Sequence, residues 1–257
     1  MNGIWQPRLL SLAFVLGWQE IRQAYRRSVL GQYWLTIGMA VQIATIAAVF
    51  SLIFKLDLKS YLPFIAVSLI LWTYISSSLN DGAKAFIDAE AMIKQVPLPL
   101  YTHVLKVQIR NFIAMLHNSV LIPIVLFLVG ASPSVPLLLF PVGLMLIILN
   151  LIWISAILAT ISARFRDTPP MVIAATSVLF YVTPVMWLPG LLGNNQLAHF
   201  LLGLNPFYHL LQIARQPLLG EYPTFENWSI ATVFAVVGTI TAIIVAKRFT
   251  KKIPYWV

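Results

Sequence analysis

Six apolar stretches, each near the length at which a helix crosses a lipid bilayer, dominate this chain. A helix needs roughly 20 mainly apolar residues to traverse the hydrocarbon core. Residues 33–54, 61–79, 111–129, 137–163, 171–187 and 229–246 come close to that length. If all six cross, the cations between them fall almost entirely on one side. Arg8, Arg22, Arg26, Arg27, Lys84, Lys94, Lys106, Arg110, Arg164, Arg166, Lys247, Arg248, Lys251 and Lys252 share it, 14 of the 17 Lys and Arg. The other side keeps Lys55, Lys59 and Arg215. Lys and Arg flanking spans are retained in the cytoplasm, so both termini are expected there. A badly misplaced set of spans would scramble this asymmetry.

The asymmetry explains a net charge of +9 without nucleic acid, which is not an expected partner. With 60% hydrophobic and 10% charged residues the chain does not read as a soluble domain, and residues 1–257 are expected to form one transmembrane unit. The absence of cysteine excludes disulfides, thiolate metal sites and cysteine nucleophiles. Trp5, Pro7 and Arg8 interrupt any secretory signal at the N-terminus. No acidic residue falls inside a span, whereas ion-coupled transporters place an ionisable group at depth. The four histidines show no metalloprotease spacing, and no Gly-rich phosphate loop occurs. This chain is therefore not expected to be an enzyme, to hydrolyse ATP or to hold a metal or cofactor. Uphill transport would draw its energy from another polypeptide.

Residues 7–30 are too charged to cross. Phe14, Trp18, Ile21 and Tyr25 recur at helical spacing among Gln19, Glu20, Arg22, Gln23, Arg26 and Arg27. The pattern predicts an amphipathic helix in the membrane interface, aromatic face in lipid, with docking of a partner on its polar face as the sharper reading. Residues 82–110 predict a docking region rather than a plain connector. Lys84 with Asp88 and Glu90 with Lys94 stand at i,i+4, Pro97 and Pro99 then break the helix, and His103, Lys106 and Arg110 share one face of the next. Asn80 or Asp81 is the expected cap of the helix that follows them. Between spans five and six, residues 188–228 include apolar pieces at 197–204 and 207–219, too short to cross, which read as interfacial or re-entrant helices. The tail Ile253-Pro254-Tyr255-Trp256-Val257 reads as an interfacial anchor. His117 and Asn118, deep in span three, are expected to bond to a neighbouring helix. The fold class is an all-α polytopic membrane protein: six transmembrane helices, an N-terminal amphipathic interface helix, and short re-entrant or interfacial helices between spans five and six.

Aromatic rings stand out in the spans. Rings stack on the apolar faces of sugars and let a polymer slide. Trp34, Phe54 and Trp187 suit interfacial belts, whereas Trp72, Tyr74, Trp153 and Tyr181 lie deeper and are candidates for lining a pathway. Ordinary packing between helices is the competing reading of these four.

Several strings resemble polysaccharide-export permeases: 25–31 (Tyr-Arg-Arg-Ser-Val-Leu-Gly), 85–87 with 93–99 (ending Lys-Gln-Val-Pro-Leu-Pro), the pairs Arg110-Asn111 and His117-Asn118, Arg164-Phe165-Arg166-Asp167, and the aromatic tail. These are membrane subunits of type-2 ABC exporters for O-antigen, with relatives handling capsules and teichoic acids. The resemblance covers essentially the whole chain. It implies a homodimer in the bacterial inner membrane, bound to two ATPase subunits that hold ATP and Mg, moving a lipid-linked polysaccharide through a channel between the two copies, among membrane lipids. It implies ATPase contact through Arg26, Arg27, Glu90, Ala91, Met92, Ile93, Lys94, Gln95, Val96, Pro97 and Leu98. It further implies pathway lining by Trp72 and Tyr74, and closure by the segment 197–219. Permeases for drugs or small lipids and a passive channel are the alternatives. A membrane-embedded transferase is disfavoured by the missing acid and metal clusters.

Overall fold

The computed structural model describes residues 7–24, 26, 31, 33–96, 98–132, 134–193 and 195–257. Tyr25, Arg27 and Pro97 lie outside the described residues. The chain forms α1 (Pro7–Ala24), α2 (Tyr33–Phe54), α3 (Leu58–Lys84), α4 (Glu90–Gln95), α5 (Tyr101–Ser119), α6 (Leu121–Val129), α7 (Phe140–Arg164), α8 (Thr168–Val182), α9 (Gln196–Gly203), α10 (Pro206–Leu218), α11 (Phe225–Phe249) and α12 (Ile253–Trp256). Short 3-10 turns precede α7 and follow α8. Among the described residues there is no strand.

Among the described residues, five helical stretches are long and apolar enough to span a bilayer: Tyr33–Phe54, Leu58–Lys84, Tyr101–Val129, Val135–Arg164 and Phe225–Phe249. α3 is the central one. It is buried without a break from Pro63 to Trp72 and again at Tyr74, Ile75, Ser78 and Leu79, against α2, α5, α7 and α8. The third stretch breaks at Val120, between α5 and α6. Pro123 has no amide to offer the Ser119 carbonyl four residues back, and its ring crowds that turn.

The expected fifth span behaves differently. α8 has 15 residues, about 22 Å of helix, and stops at Val182 instead of reaching residue 187. Pro184 supplies the reason, since the residue before a proline is pushed out of the helical region. Thr183 accordingly takes extended backbone, φ −84 and ψ 136. Thr183, Pro184 and Val185 of the irregular stretch that follows are buried, and polar groups of the stretch are met by side chains from elsewhere. Tyr61 Oη donates to the Met186 carbonyl, Arg215 Nη1 to the Pro184 carbonyl at 2.6 Å, and Asn205 Nδ2 to Thr183 Oγ1 at 2.9 Å. Non-helical backbone in an apolar surrounding persists where such partners exist.

α3 also departs from expectation, because Asn80 and Asp81 lie inside it and cap nothing. The polar run stays helical because its groups find lateral partners. Ser78 carbonyl accepts from Ser155 Oγ at 3.0 Å, Asn80 Oδ1 from Thr176 Oγ1 at 3.0 Å, and Asp81 Oδ2 from Arg110 Nη2 at 2.9 Å. Beyond Lys84 the chain continues as turns, where the Asp88 amide bonds to the Lys84 carbonyl at 2.9 Å but the two side chains form no ion pair; Glu90 and Lys94 do pair, at 2.6 Å.

α1 packs along α5 through Leu9, Ala13, Gly17 and Ile21, an i,i+4 stripe. Ile21 thus belongs to the packed side, while Phe14 and Trp18 stay exposed and stack on each other, 6.5 Å between centroids. A side chain at Gly17 would place its Cβ 3.1 Å from the Lys106 carbonyl oxygen, which is why the helices approach there.

Candidate functional site

Three places gather functional side chains. The first is the basic end, where the turns around α4, the 164–168 connection and the C-terminus meet. Phe86 before α4, Leu100 and Val104 after it, Ala159 and Ala163 of α7, and Ile253 and Val257 form one buried cluster. Within the tail, Ile253 and Val257 are buried in this cluster, Trp256 packs against it and Tyr255 is exposed. Arg164 sits over the Trp256 ring at 5.3 Å, and Arg166 Nη2 reaches Glu90 Oε2 at 3.6 Å. The hydrogen bond and charge of Lys94 and the charge of Arg166 hold the exposed Glu90 carboxyl below its usual range. Ala91, Met92, Lys94, Gln95 and Val96 point outward, while Ile93 packs against the cluster and Leu98 is half-buried. Arg26, just past α1, is exposed.

The second place is a charged cluster at the seam of α1, α3 and α5. Glu20 Oε1 accepts from Lys106 Nζ, and Glu20 Oε2 from Arg110 Nη1 at 2.9 Å. Arg110 Nη2 also reaches Asp81, which accepts from Asn111 Nδ2 at 3.1 Å. Sequence reasoning assigns Glu20 to a polar helix face and Asp81 to a cap, and misses this cluster. The available signal is chemical: two acids and two bases near span edges, where unpaired charge is costly.

The third place is a groove of about 250 Å³ between α3 and α8. Trp72, Ser76 and Asn80 line one wall at i,i+4 spacing; Thr176, Ser177, Phe180 and Tyr181 line the other. Trp72 packs against Phe180 at 6.0 Å and edge-on to Phe207 at 6.4 Å. Tyr181 is 71% exposed and open to a ligand or a second protein. The structure thus brings Trp72 and Tyr181 together and leaves the other two candidate rings elsewhere. Tyr74 is buried against α5, edge-on to Phe112 at 6.2 Å. Trp153 donates to Asn150 Oδ1 at 3.0 Å and meets Phe234 edge-on at 5.0 Å, over Gly238 of α11. Sequence reasoning misses Phe180, Ser76, Asn80 and Thr176, although the i,i+4 stripe below Trp72 is visible in the sequence.

At the end of the bundle opposite α4, α10 is driven into the core between α3, α7 and α11 by Leu210, Leu211, Ile213 and Ala214. Its Arg215 is 1% exposed. The guanidinium donates to Ser68 Oγ at 3.0 Å, to the Pro184 carbonyl, and to Gln212 Oε1 at 2.8 and 3.2 Å, and lies 4.4 Å from the Phe64 ring centroid. Among the described residues it has no carboxylate within ion-pair distance. No three His, Asp or Glu side chains gather as a metal site among the described residues either.

The family model described as "ABC-2 type transporter" matches residues 11–219, from within α1 to the residue after α10. The chain belongs to the ABC-2 type transporter family. All three places above fall wholly or mainly inside the matched residues of this ABC-2 transporter chain; α11 and α12 lie beyond them. Among curated relatives, the O-antigen export system permease protein RfbA of Myxococcus xanthus is 26% identical over 217 residues, 82% of this chain and 80% of its own length. Two proteins of the same name from Klebsiella pneumoniae are 21% and 22% identical, covering 91% and 93% of this chain and 90% and 92% of their own lengths. An ABC-2 family member with several bilayer-length helices is a multi-pass membrane protein and a transport subunit.

Proposed function

We propose that this chain is the membrane-spanning subunit of an ATP-driven exporter that carries lipid-linked O-antigen polysaccharide out of the cytoplasm across the bacterial inner membrane. The observation that carries the reading is the alignment with relatives named for O-antigen export over 80% or more of both chains. Two copies assemble with two ATPase subunits, which bind ATP and Mg. The basic end faces the cytoplasm, both termini included, in keeping with cation retention on that side. α8 and the irregular 183–187 stretch together make the fifth of six crossings, α1 lies at the cytoplasmic interface, and α9 and α10 close the outer end. The outward side chains of α4, Ala91, Met92, Lys94 and Gln95, together with Val96 just after it and Arg26, meet the ATPase. Pro97 and Arg27 are assigned to the same contact from the sequence.

The polymer passes along the groove between α3 and α8. Rings stack on the apolar faces of sugars while hydroxyl and amide groups exchange hydrogen bonds with hydroxyls, and neither holds a single register. Tyr181 supplies the open ring, backed by Phe180 and the buried Trp72; Ser76, Asn80, Thr176 and Ser177 supply the polar groups. The large apolar side chains exposed on α2 and α8, among them Trp34, Val41, Met171 and Val178, suit lipid or the second copy.

Co-expression with the ATPase and a polymer-synthesis system tests both halves. Met92→Asp is expected to strip the ATPase from the purified complex and abolish surface polymer. Trp72→Ala combined with Tyr181→Ala is expected to leave the ATPase bound and lower surface polymer about fivefold, a size suited to losing one open ring–sugar contact of ~1 kcal/mol. Normal export in the ring variant would remove the groove from the pathway, and an intact complex with Met92→Asp would remove α4 from the ATPase contact.

A further inference from the structure

The coupling role proposed for α4 raises a mechanical difficulty. α4 has six residues and buries none of its side chains. A helix that short has no stability of its own in water, because nucleation costs more than a single turn returns. A push from a bound ATPase would unwind such a segment before it moved a span. Something outside α4 must hold its shape and orientation.

The structure places that support at the far end of the chain. α12 packs on both α4 and α7. Ile253 is completely buried in the same cluster as Phe86, which leads into α4, and Leu100, which leads out of it. Ile93, the inward residue of α4, and Trp256 pack against that cluster from the outside. Arg164 at the end of α7 covers the Trp256 ring, and Trp256 lies 5.7 Å from Phe249 at the end of α11. Arg166 adds an ion pair to Glu90 at the start of α4. Only Thr250, Lys251 and Lys252 separate α12 from α11, and the Lys252 amide bonds to the Phe249 carbonyl at 2.8 Å. The last residues of the chain are thus fixed to two spans and to the coupling helix at once.

We propose that residues 253–257 are a positioning element that braces α4, so that force applied to Met92 and Val96 passes into α7 and α11 instead of unwinding the turn. Ile253 and Trp256 do the bracing. Tyr255, 89% exposed, takes no part. The proposal rests on α4 as the ATPase contact, and its test separates the two.

The chain has no cysteine, so a spin label attached through Met92→Cys reports α4 alone, and one at Phe225→Cys, exposed at the opposite end of α11, serves as control. The labels are read in the purified permease without its ATPase, so that the contact itself does not hold position 92, and export and ATPase retention are read in the unlabelled complex; both sets cover the full chain, a chain ending at Lys252, and Trp256→Ala, Trp256→Phe and Tyr255→Ala. Truncation and Trp256→Ala are expected to mobilise the label at 92 and not that at 225. They are expected to lower export about tenfold, the scale of an interrupted coupling contact, with the ATPase still bound and hydrolysing ATP. Trp256→Phe is expected to restore most of the export, and Tyr255→Ala to behave as the full chain. An equally immobile label at 92 after truncation and in Trp256→Ala would overturn the brace, as would loss of the ATPase from those variants, which would make α12 a docking element. Retention of the ATPase by Met92→Asp would overturn only the assignment of α4 as its contact, and the label at 92 would still decide the brace.

Discussion

Arg215 shows how one buried side chain holds an irregular segment in place. A guanidinium taken out of water is tolerated only with its hydrogen bonds filled, and here a hydroxyl, a peptide carbonyl and an amide oxygen fill them, with the Phe64 ring face beneath. Gln212 accepts two of the bonds and is the partner whose loss strands a charge. Gln212→Ala is therefore expected to cost on the order of 3 kcal/mol. Arg215→Met removes the charge together with its bonds and is expected to cost less, about 1–2 kcal/mol for the unfilled acceptors. Thermal unfolding of the purified protein in one detergent, both variants side by side, measures the order. A larger loss for Arg215→Met would mean that the bond to Pro184, not the pairing with Gln212, dominates the site.

At the scale of elements, α1 and α5 are joined by an apolar stripe and a charged seam. Gly17 sets the spacing between them and Glu20 closes the seam onto Lys106 and Arg110. A larger side chain at 17 meets the Lys106 backbone carbonyl, and the backbone of a packed helix yields poorly. Gly17→Leu is expected to lift α1 from α5, break the Glu20 bonds and expose the Arg22 peptide bond. Trypsin should then cut after Arg22 several-fold faster than in the unaltered protein, while Glu20→Gln, which keeps the stripe, gives a smaller increase. An unchanged cleavage rate in Gly17→Leu would show that the charged seam alone holds α1.

For the whole molecule, the alternation of helices places the connections 85–100, 164–168 and 250–257 at one end and 55–57, 130–139 and 183–224 at the other. Because the chain lacks cysteine, single cysteines read the orientation directly. Arg166→Cys and Lys251→Cys are expected to react with a membrane-impermeant maleimide only after the cell membrane is opened, and Lys55→Cys and Tyr222→Cys in intact spheroplasts. Labelling of all four from outside would contradict the proposed orientation and the placement of the ATPase.

Five of the apolar windows, the clustering of cations at one end of the bundle and the Glu90–Lys94 pair were legible in the sequence, because each depends on one stretch of chain. Proline accounts for two local breaks as well, at Val120 and Thr183, from the amide it lacks and the backbone it restricts. The tertiary structure alone decided which helix lies at the centre, that Trp72 faces α8 while Tyr74 faces α5, that Glu20 finds two bases 86 and 90 residues away, and that the tail folds under α4. A span that is apolar all round carries no periodic mark of its packed face. Its rotation, and the partners of the few charges at its edges, are fixed only when the other helices close around it.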